Sequence, residues 1–347
     1  MKACVLHGIG DLRVEDIQDP SPKQGEVLVK IKASGVCGSD LPRVFTKGTY
    51  HFPTIPGHEF SGQIVGLGSD VDISLLGKKV AVFPLIPCMK CEACRIGEYG
   101  QCVDYNYFGS RCDGGFAEYI CVPVWNLVIV PESISYEEAA MAEPAAVAVH
   151  ALRQAGIEVG DNIAIFGAGP IGLMLGQWAK AWGADKVMLM DIDEKKVSFA
   201  KEQGFEYVCN SMKKDPVDWI KEVTGGRGAD LAVEGAGVSI TLEQCLFGVR
   251  PFGKVIAMGN PMGDMKLSQK GYWELLRKQL KIVGTWNSSF VSIPKNDWKL
   301  SLRAMETGKI NVKPFITHRF PLDKGAEALE MMRDKKEFYN KVMFVVE

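Results

Sequence analysis

Two rhythms of apolar and polar residues divide the chain. In the first third, short β-branched runs recur at Val27–Ser34, Gln63–Gly68, Lys79–Pro84, Phe116–Val122 and Leu127–Val130, separated by Gly, Pro and Asp. Runs of strand length broken by turn residues predict a β domain of Greek-key or barrel type. Ser135-Tyr136-Glu137-Glu138 reads as a capping box, opening a helix through Ala139–Ala155. From Asp161 strand and helix alternate: strand Asn162–Phe166, helix Pro170–Trp182 stopped by Gly183, strand Lys186–Met190, then a helix capped by Asp193 and followed by Gly204. Asp215-Pro216 suits the start of a helix reaching Thr224. Strands near Leu231–Val233, Lys254–Met258 and Lys281–Val283 complete about six such repeats, the pattern of a doubly wound parallel sheet. A helix near Asp323–Arg333 and a strand at Lys341–Val346 are expected to return to the first domain.

Within the alternating part, Gly167-Ala168-Gly169-Pro170-Ile171-Gly172 is G-x-G-x-x-G between a strand and a helix, and Asp191 follows nineteen residues after Gly172. That context makes a dinucleotide fingerprint of a motif that is weak alone. Gly167 permits the turn, Gly169 the approach of a pyrophosphate, and Gly172 close helix–strand packing, with the helix N-terminus facing the anion. A carboxylate at Asp191 would accept from ribose hydroxyls and repel a 2′-phosphate, favouring NAD, with Lys195 and Lys196 as a small counterweight.

Cys88, Cys91, Cys94 and Cys102 are spaced C-x2-C-x2-C-x7-C, while the other six of ten cysteines are scattered. Four thiolates so close suit one structural zinc ion. The bacterial iron–sulfur pattern ends in x3 and then Pro, whereas here the last gap is seven and Val103 follows Cys102. A disulfide framework would need an oxidising compartment. A second metal site is suggested by Cys37 in Cys37-Gly38-Ser39-Asp40, His58 in Gly57-His58-Glu59 and Glu143 in Glu143-Pro144. Thiolate, imidazole and carboxylate suit zinc, and three protein ligands leave a position open. A dication there eases deprotonation of an alcohol, whose carbon can then give hydride to nicotinamide. His7, His51, His150 and His318 lie outside such motifs and read as structural.

These motifs, with Gly57-His58-Glu59-Phe60-Ser61-Gly62 and Asp113-Gly114-Gly115-Phe116-Ala117-Glu118-Tyr119, follow one another in an order that resembles the zinc-dependent medium-chain dehydrogenases, in their polyol and polyol-phosphate branch. The resemblance spans essentially the whole chain. It implies a GroES-like β-rich catalytic domain over 1–150 and 290–347, and a Rossmann NAD-binding domain over 151–289. It also implies two Zn2+ per chain, one catalytic at Cys37, His58 and Glu143 and one structural at the four-cysteine lobe. Glu59 matches a residue able to approach the metal, Ser39 the hydroxyl that takes the substrate's proton, and Asp40 an acceptor that orients His58. Some relatives carry a His five residues after the Cys as a proton exit; here that residue is Pro42. The expected reaction is oxidation of a polyol phosphate with NAD, the rival substrates being free sorbitol, a small diol or threonine. A phosphate dianion wants Arg or Lys, and Arg43, Lys47 and Arg111 are candidates, Lys295 a weaker one. Trp286 and Asn287 are candidates for the substrate channel. A zinc-free reductase or a thiol-based metal store would leave some of these motifs unexplained. Relatives are dimers or tetramers, and the strand near Val283 is a candidate pairing edge.

Bulk properties narrow the field without choosing within it. The 347 residues suffice for two domains, and at 47% hydrophobic and 24% charged the composition is that of a globular protein. A net charge of −2 with no basic run argues against nucleic acid and anionic lipid as partners. Met1–Gln18 lacks the apolar core of a signal peptide and no eighteen-residue apolar window occurs, so a cytoplasmic enzyme with reduced thiols is expected.

Overall fold

The computed structural model describes all 347 residues as two compact units. One comprises Met1–Pro144, Ser289–Gly308 and Val312–Glu347; the other comprises Ala145–Ser288 and Lys309–Asn311.

The first unit is built on a mixed seven-stranded sheet. Its path runs Ile316–Pro321, Lys341–Val345, Glu26–Val36, Glu59–Leu67, Lys79–Val82 and Leu127–Ile129, and Tyr119–Pro123 also pairs with Glu26–Val36. Alternation along Glu26–Val36 puts Val27, Val29 and Ile31 into a core with Phe60, Ile64, Phe116 and Phe344. Phe116 and Phe344 meet edge to face at 4.8 Å. The sequence pattern places the start of the second central strand at Gln63, but it begins at Glu59. Gly62 has to be small, because a Cβ there would sit 2.1 Å from the Lys30 carbonyl oxygen across the register shift at Ile31/Ala33. Phe116–Glu118, expected as strand, instead meets the N-terminal hairpin of Lys2–Gly8 and Asp11–Asp16. The Cys4 amide donates to the Phe116 carbonyl there. That hairpin escapes the sequence pattern, although Ala3–Leu6 is a buried apolar run.

The capping box at Ser135 and Glu138 is formed, opening the helix Tyr136–Ala140. A turn at Met141 separates it from Ala142–Ala155, where the apolar pattern suggests one continuous helix.

The second unit is a six-stranded parallel sheet in the order Tyr207–Asn210, Lys186–Asp191, Asn162–Phe166, Ala229–Glu234, Val249–Ala257 and Lys281–Gly284. In chain order this is 3-2-1-4-5-6, the doubly wound Rossmann arrangement, whose chain reversal between strands 1 and 4 opens a binding crevice at their carboxyl ends. The glycine-rich turn of Gly167 lies there. Strand Tyr207–Asn210 and helices Ser239–Gly248 and Gln269–Arg277 are further elements that the sequence pattern leaves unassigned.

Truncating Phe344 to Ala removes one face of this core and should lower the denaturant-measured stability of the first unit by about 3–5 kcal/mol. Ile282→Ala, on a strand position 45% exposed, should change stability by no more than about 0.5 kcal/mol.

Candidate active site

Strand register builds the site. Glu26–Val36 ends immediately before Cys37, and its antiparallel partner begins immediately after His58, with Gly35 opposite Glu59. Cys37, His58 and Glu59 therefore meet at one end of the pair, their candidate ligand atoms all within 4.8 Å of one another. On the other side of the same strand, Val342 pairs with Val36. The buried Lys341 Nζ donates to Glu59 Oε2 at 2.6 Å and to the Val36 carbonyl at 3.2 Å. This ion pair passes over the strand end, and only a residue without Cβ fits beneath it: a Cβ on Gly35 would lie 2.3 Å from Glu59 Oε2. Burial alone would depress the Lys341 pKa, but Glu59 and Cys37 overcome that and raise it.

A second set of charges holds the imidazole. Asp40, fully buried in the short helix Asp40–Pro42, accepts from the Cys37 amide at 2.9 Å through Oδ2. Its Oδ1 accepts from Arg43 Nη1 at 2.9 Å and faces His58 Nδ1 at 3.4 Å. Arg43 Nη1 also donates to Ser39 Oγ at 3.1 Å. Burial works against ionising Asp40, yet His58, Arg43 and the Cys37 amide bring its pKa down to about 2. His58 Nδ1 faces both Arg43 Nη1, at 3.2 Å, and Asp40, so Nε2 is the ring nitrogen left for a metal. Ser39 accepts from Arg43, so its own O–H remains free to act on a neighbour.

Glu143 starts the helix Ala142–Ala155 and is buried, but it is not among the three groups within 4.8 Å. Burial, reinforced by Glu59 and opposed by His58, pushes its pKa up to about 7. The expected ligand set of Cys37, His58 and Glu143 thus appears here with Glu59 in the tight cluster and Glu143 outside it. A thiol, an imidazole and a carboxylate fit a zinc ion. The sequence gives no sign of two further neighbours: Lys341, and Tyr107, whose ring lies 5.7 Å from that of His58.

Of the expected substrate residues, Arg43 is engaged with Asp40 and Ser39. Arg111 lies over the rings of Tyr50 and Tyr105, 4.0 and 4.4 Å from their centroids, and donates to the Tyr50 hydroxyl at 3.1 Å. Lys47 and Lys295 are exposed. Trp286 and Asn287 belong to the second unit, just beyond strand Lys281–Gly284.

In the lobe, Cys91 Sγ is 3.5 Å from Cys94 and 3.9 Å from Cys102, and Cys88 Sγ is 3.9 Å from Cys94. Tetrahedral zinc with about 2.3 Å bonds to sulfur requires edges of about 3.8 Å, so the four free thiols fit the ion and exclude disulfides. Backbone amides donating to Cys91 lower its pKa to about 6, favouring the thiolate, while burial raises Cys94 to about 12. Tyr99 ties the lobe to the aromatic cluster of Trp125, Phe83, Phe290 and Trp298.

In the second unit, Gly167 holds φ at +115°, open to glycine only, and a Cβ on Gly172 would come within 1.9 Å of the Gly167 carbonyl oxygen. A Cβ on Gly169 would meet nothing within 4 Å, which leaves room for a ligand at the N-terminus of helix Pro170–Ala181. Asp191 accepts from the Ala168 and Asp193 amides, and Lys196 Nζ stands 3.9 Å away.

Comparison with known proteins bears on both units. The alcohol dehydrogenase GroES-like domain model matches residues 23–132 and the zinc-binding dehydrogenase model residues 170–307. Galactitol 1-phosphate 5-dehydrogenase of Escherichia coli strain K12 is 37% identical over 330 residues, 95% of each chain. Sorbitol dehydrogenase of Bacillus subtilis strain 168 is 33% identical over 350 residues, 99% of this chain and 96% of its own. The crystal structure of galactitol-1-phosphate dehydrogenase from Escherichia coli matches with a TM-score of 0.93 at 36% identity, covering 99% of this chain and all of the other. No helix is long and apolar enough to cross a membrane.

Lys341→Met strands a buried carboxylate at Glu59 and should cost about 3–5 kcal/mol in urea denaturation. The double variant with Glu59→Gln should recover at least half of that loss; no recovery would mean that the pair is not the source. Cys94→Ser should lose one equivalent of zinc by elemental analysis and lower the thermal midpoint, with the metal at Cys37 and His58 retained.

Proposed function

The chain belongs to the zinc-binding medium-chain alcohol and polyol dehydrogenases, and from that premise we propose that it oxidises a secondary alcohol of a polyol phosphate, galactitol 1-phosphate to tagatose 6-phosphate, with NAD as acceptor. The observation that carries the phosphate is Arg111. Its guanidinium lies over two tyrosine rings with one nitrogen on the Tyr50 hydroxyl, and its other N–H groups are left for a dianion. A contact chain leads back to the metal cluster: Tyr105 touches Tyr107 at 6.4 Å between ring centroids, and Tyr107 touches His58. Arg43 is reassigned to holding Asp40 and Ser39.

Cys37 and His58, with Glu59 or Glu143, would hold the catalytic zinc, which supplies Lewis acidity toward the alcohol, while the nicotinamide supplies the acceptor for the hydride that leaves carbon. Ser39 takes the hydroxyl proton, its oxygen fixed by Arg43. Because Pro42 has no side-chain group that can accept a proton, that proton leaves through water or another neighbouring group. Asp40 stays ionised beside His58 Nδ1 and Arg43. Lys341 neutralises Glu59 and holds its carboxylate at the strand end. Cys88, Cys91, Cys94 and Cys102 bind the second, structural zinc. Asp191, at the end of its strand, favours NAD over NADP by repelling a 2′-phosphate, and the nearby Lys196 tempers that preference. Ten free thiols suit a cytoplasmic enzyme, and the edge strand Lys281–Gly284 is where a second copy would pair.

A second reading, oxidation of free sorbitol, is favoured by the Bacillus subtilis relative. Initial rates of NAD reduction on galactitol 1-phosphate, galactitol and sorbitol separate the two. We expect a preference of at least about tenfold for the phosphate, and Arg111→Ala should raise its KM by about 10- to 100-fold with no change for the free polyols. Equal rates on free and phosphorylated polyols would leave the sorbitol reading standing.

A further inference from the structure

Strand Ala229–Glu234 ends on a carboxyl group, and a loop of small residues, Gly235, Ala236 and Gly237, leads from it toward the helix Ser239–Gly248. Glu234 is only 2% exposed, and its side chain turns back onto that loop. Its Oε1 accepts from the Ala236 amide at 2.9 Å, the Gly237 amide at 2.8 Å and the Thr241 hydroxyl at 2.7 Å. Its backbone carbonyl accepts the amides of Met258 and Gly259, which follow the next strand of the sheet. Glycines let these segments close on one another. A Cβ on Gly259 would lie 2.3 Å from the Gly237 nitrogen and 2.7 Å from Glu234 Oε2, and one on Gly237 would lie 2.0 Å from the Asn260 carbonyl oxygen. Gly235 and Ala236, in contrast, are exposed. A short glycine-rich loop is costly to order, and here a buried acceptor has ordered it before any ligand arrives.

This loop is one wall of the crevice between strands 1 and 4. Phe166 pairs with Glu234 in register, and the Gly235 amide donates to the Phe166 carbonyl at 3.1 Å. A Cβ on Gly167, in the glycine-rich turn, would come 3.7 Å from the Gly235 carbonyl oxygen. A dinucleotide across such a crevice sets its pyrophosphate on the glycine-rich turn and its adenosine toward the acidic residue, here Asp191 on strand 2. Strand 4 lies on the opposite side of strand 1, so the other half of the molecule extends over the end of Ala229–Glu234. We propose that Glu234 is a positioning residue for the nicotinamide half of the cofactor. By taking the Ala236 and Gly237 amides, it fixes the height of the loop backbone against which that half rests. This inference deepens the cofactor reading above and rests on it.

The test is equilibrium binding of two probes to the zinc-loaded protein. NADH spans the whole crevice, whereas ADP carries only the adenosine and the pyrophosphate. Glu234→Ala removes the acceptor, and Glu234→Gln keeps an oxygen for the loop. We expect Glu234→Ala to raise the Kd of NADH about 10- to 100-fold while that of ADP changes less than about threefold. Glu234→Gln should stay within about threefold of wild type on both probes. Amide exchange at Ala236 and Gly237, measured without ligand, should quicken in Glu234→Ala alone. Should that variant not fold, Thr241→Val decides, since it removes one donor to the same oxygen; NADH should weaken about three- to tenfold with ADP unchanged. Equal weakening of NADH and ADP would show a merely structural role and overturn the proposal, as would unchanged NADH binding, or a Gln variant as weak as Ala. A wild type that binds neither probe would overturn the cofactor reading itself, a result visible before any variant is made.

Discussion

Buried charge governs the architecture of the candidate active site. Asp40, His58, Glu59, Glu143 and Lys341 are all removed from water within the same unit, and unpaired charges there would cost several kcal/mol each. The fold resolves this with two local pairings. Asp40 takes His58, Arg43 and the Cys37 amide, and Glu59 takes Lys341. Glu143 has no cationic partner at bonding distance, and it is the carboxyl whose pKa climbs to about 7. The contrast between about 2 for Asp40 and about 7 for Glu143 comes from partners, since both are buried. One carboxylate is therefore a fixed anion beside a ring, and the other is left without a close cation and held high by burial.

The pairings depend on register. Glu59 and Lys341 lie on strands separated by Glu26–Val36, so their bond has to cross the end of that strand. Gly35 is the position crossed. Its lack of a side chain has no conformational motive, because the residue sits in ordinary strand backbone; the motive is space for the Glu59 carboxylate. Gly62 has the same role further along the ladder, against the Lys30 carbonyl. Small residues that interrupt the apolar rhythm are thus where the sheet admits polar atoms, which is also why the strand beginning at Glu59 reads in sequence as a turn.

What was legible in the sequence was local. The cysteine lobe closes within fifteen residues, the glycine-rich turn and Asp191 within one strand–helix–strand unit, and the Ser135 capping box within four residues, so spacing encodes each of them. Strand and helix alternation likewise reveals the parallel sheet, since its central strands are nearly continuous apolar runs. Lys341 and Tyr107 are not local. The partner of Lys341 lies 282 positions away, and Tyr107 reaches His58 through a two-residue strand with no apolar pattern of its own. Arg43 shows a subtler limit. Its position beside the Cys37 motif suggests substrate contact, but Asp40, three residues before it, claims its guanidinium.

Arg43 and Arg111 show how one residue type divides two tasks by its surroundings. Arg43 is packed against a buried carboxylate whose charge it balances, its Nη1 shared by Asp40 Oδ1 and Ser39 Oγ. Arg111 is packed against π faces, which hold the guanidinium plane without using most of its N–H groups. The aromatic contacts from Arg111 through Tyr105 and Tyr107 to His58 therefore do more than fill space: they fix the distance between one guanidinium and the imidazole of the cysteine–histidine cluster.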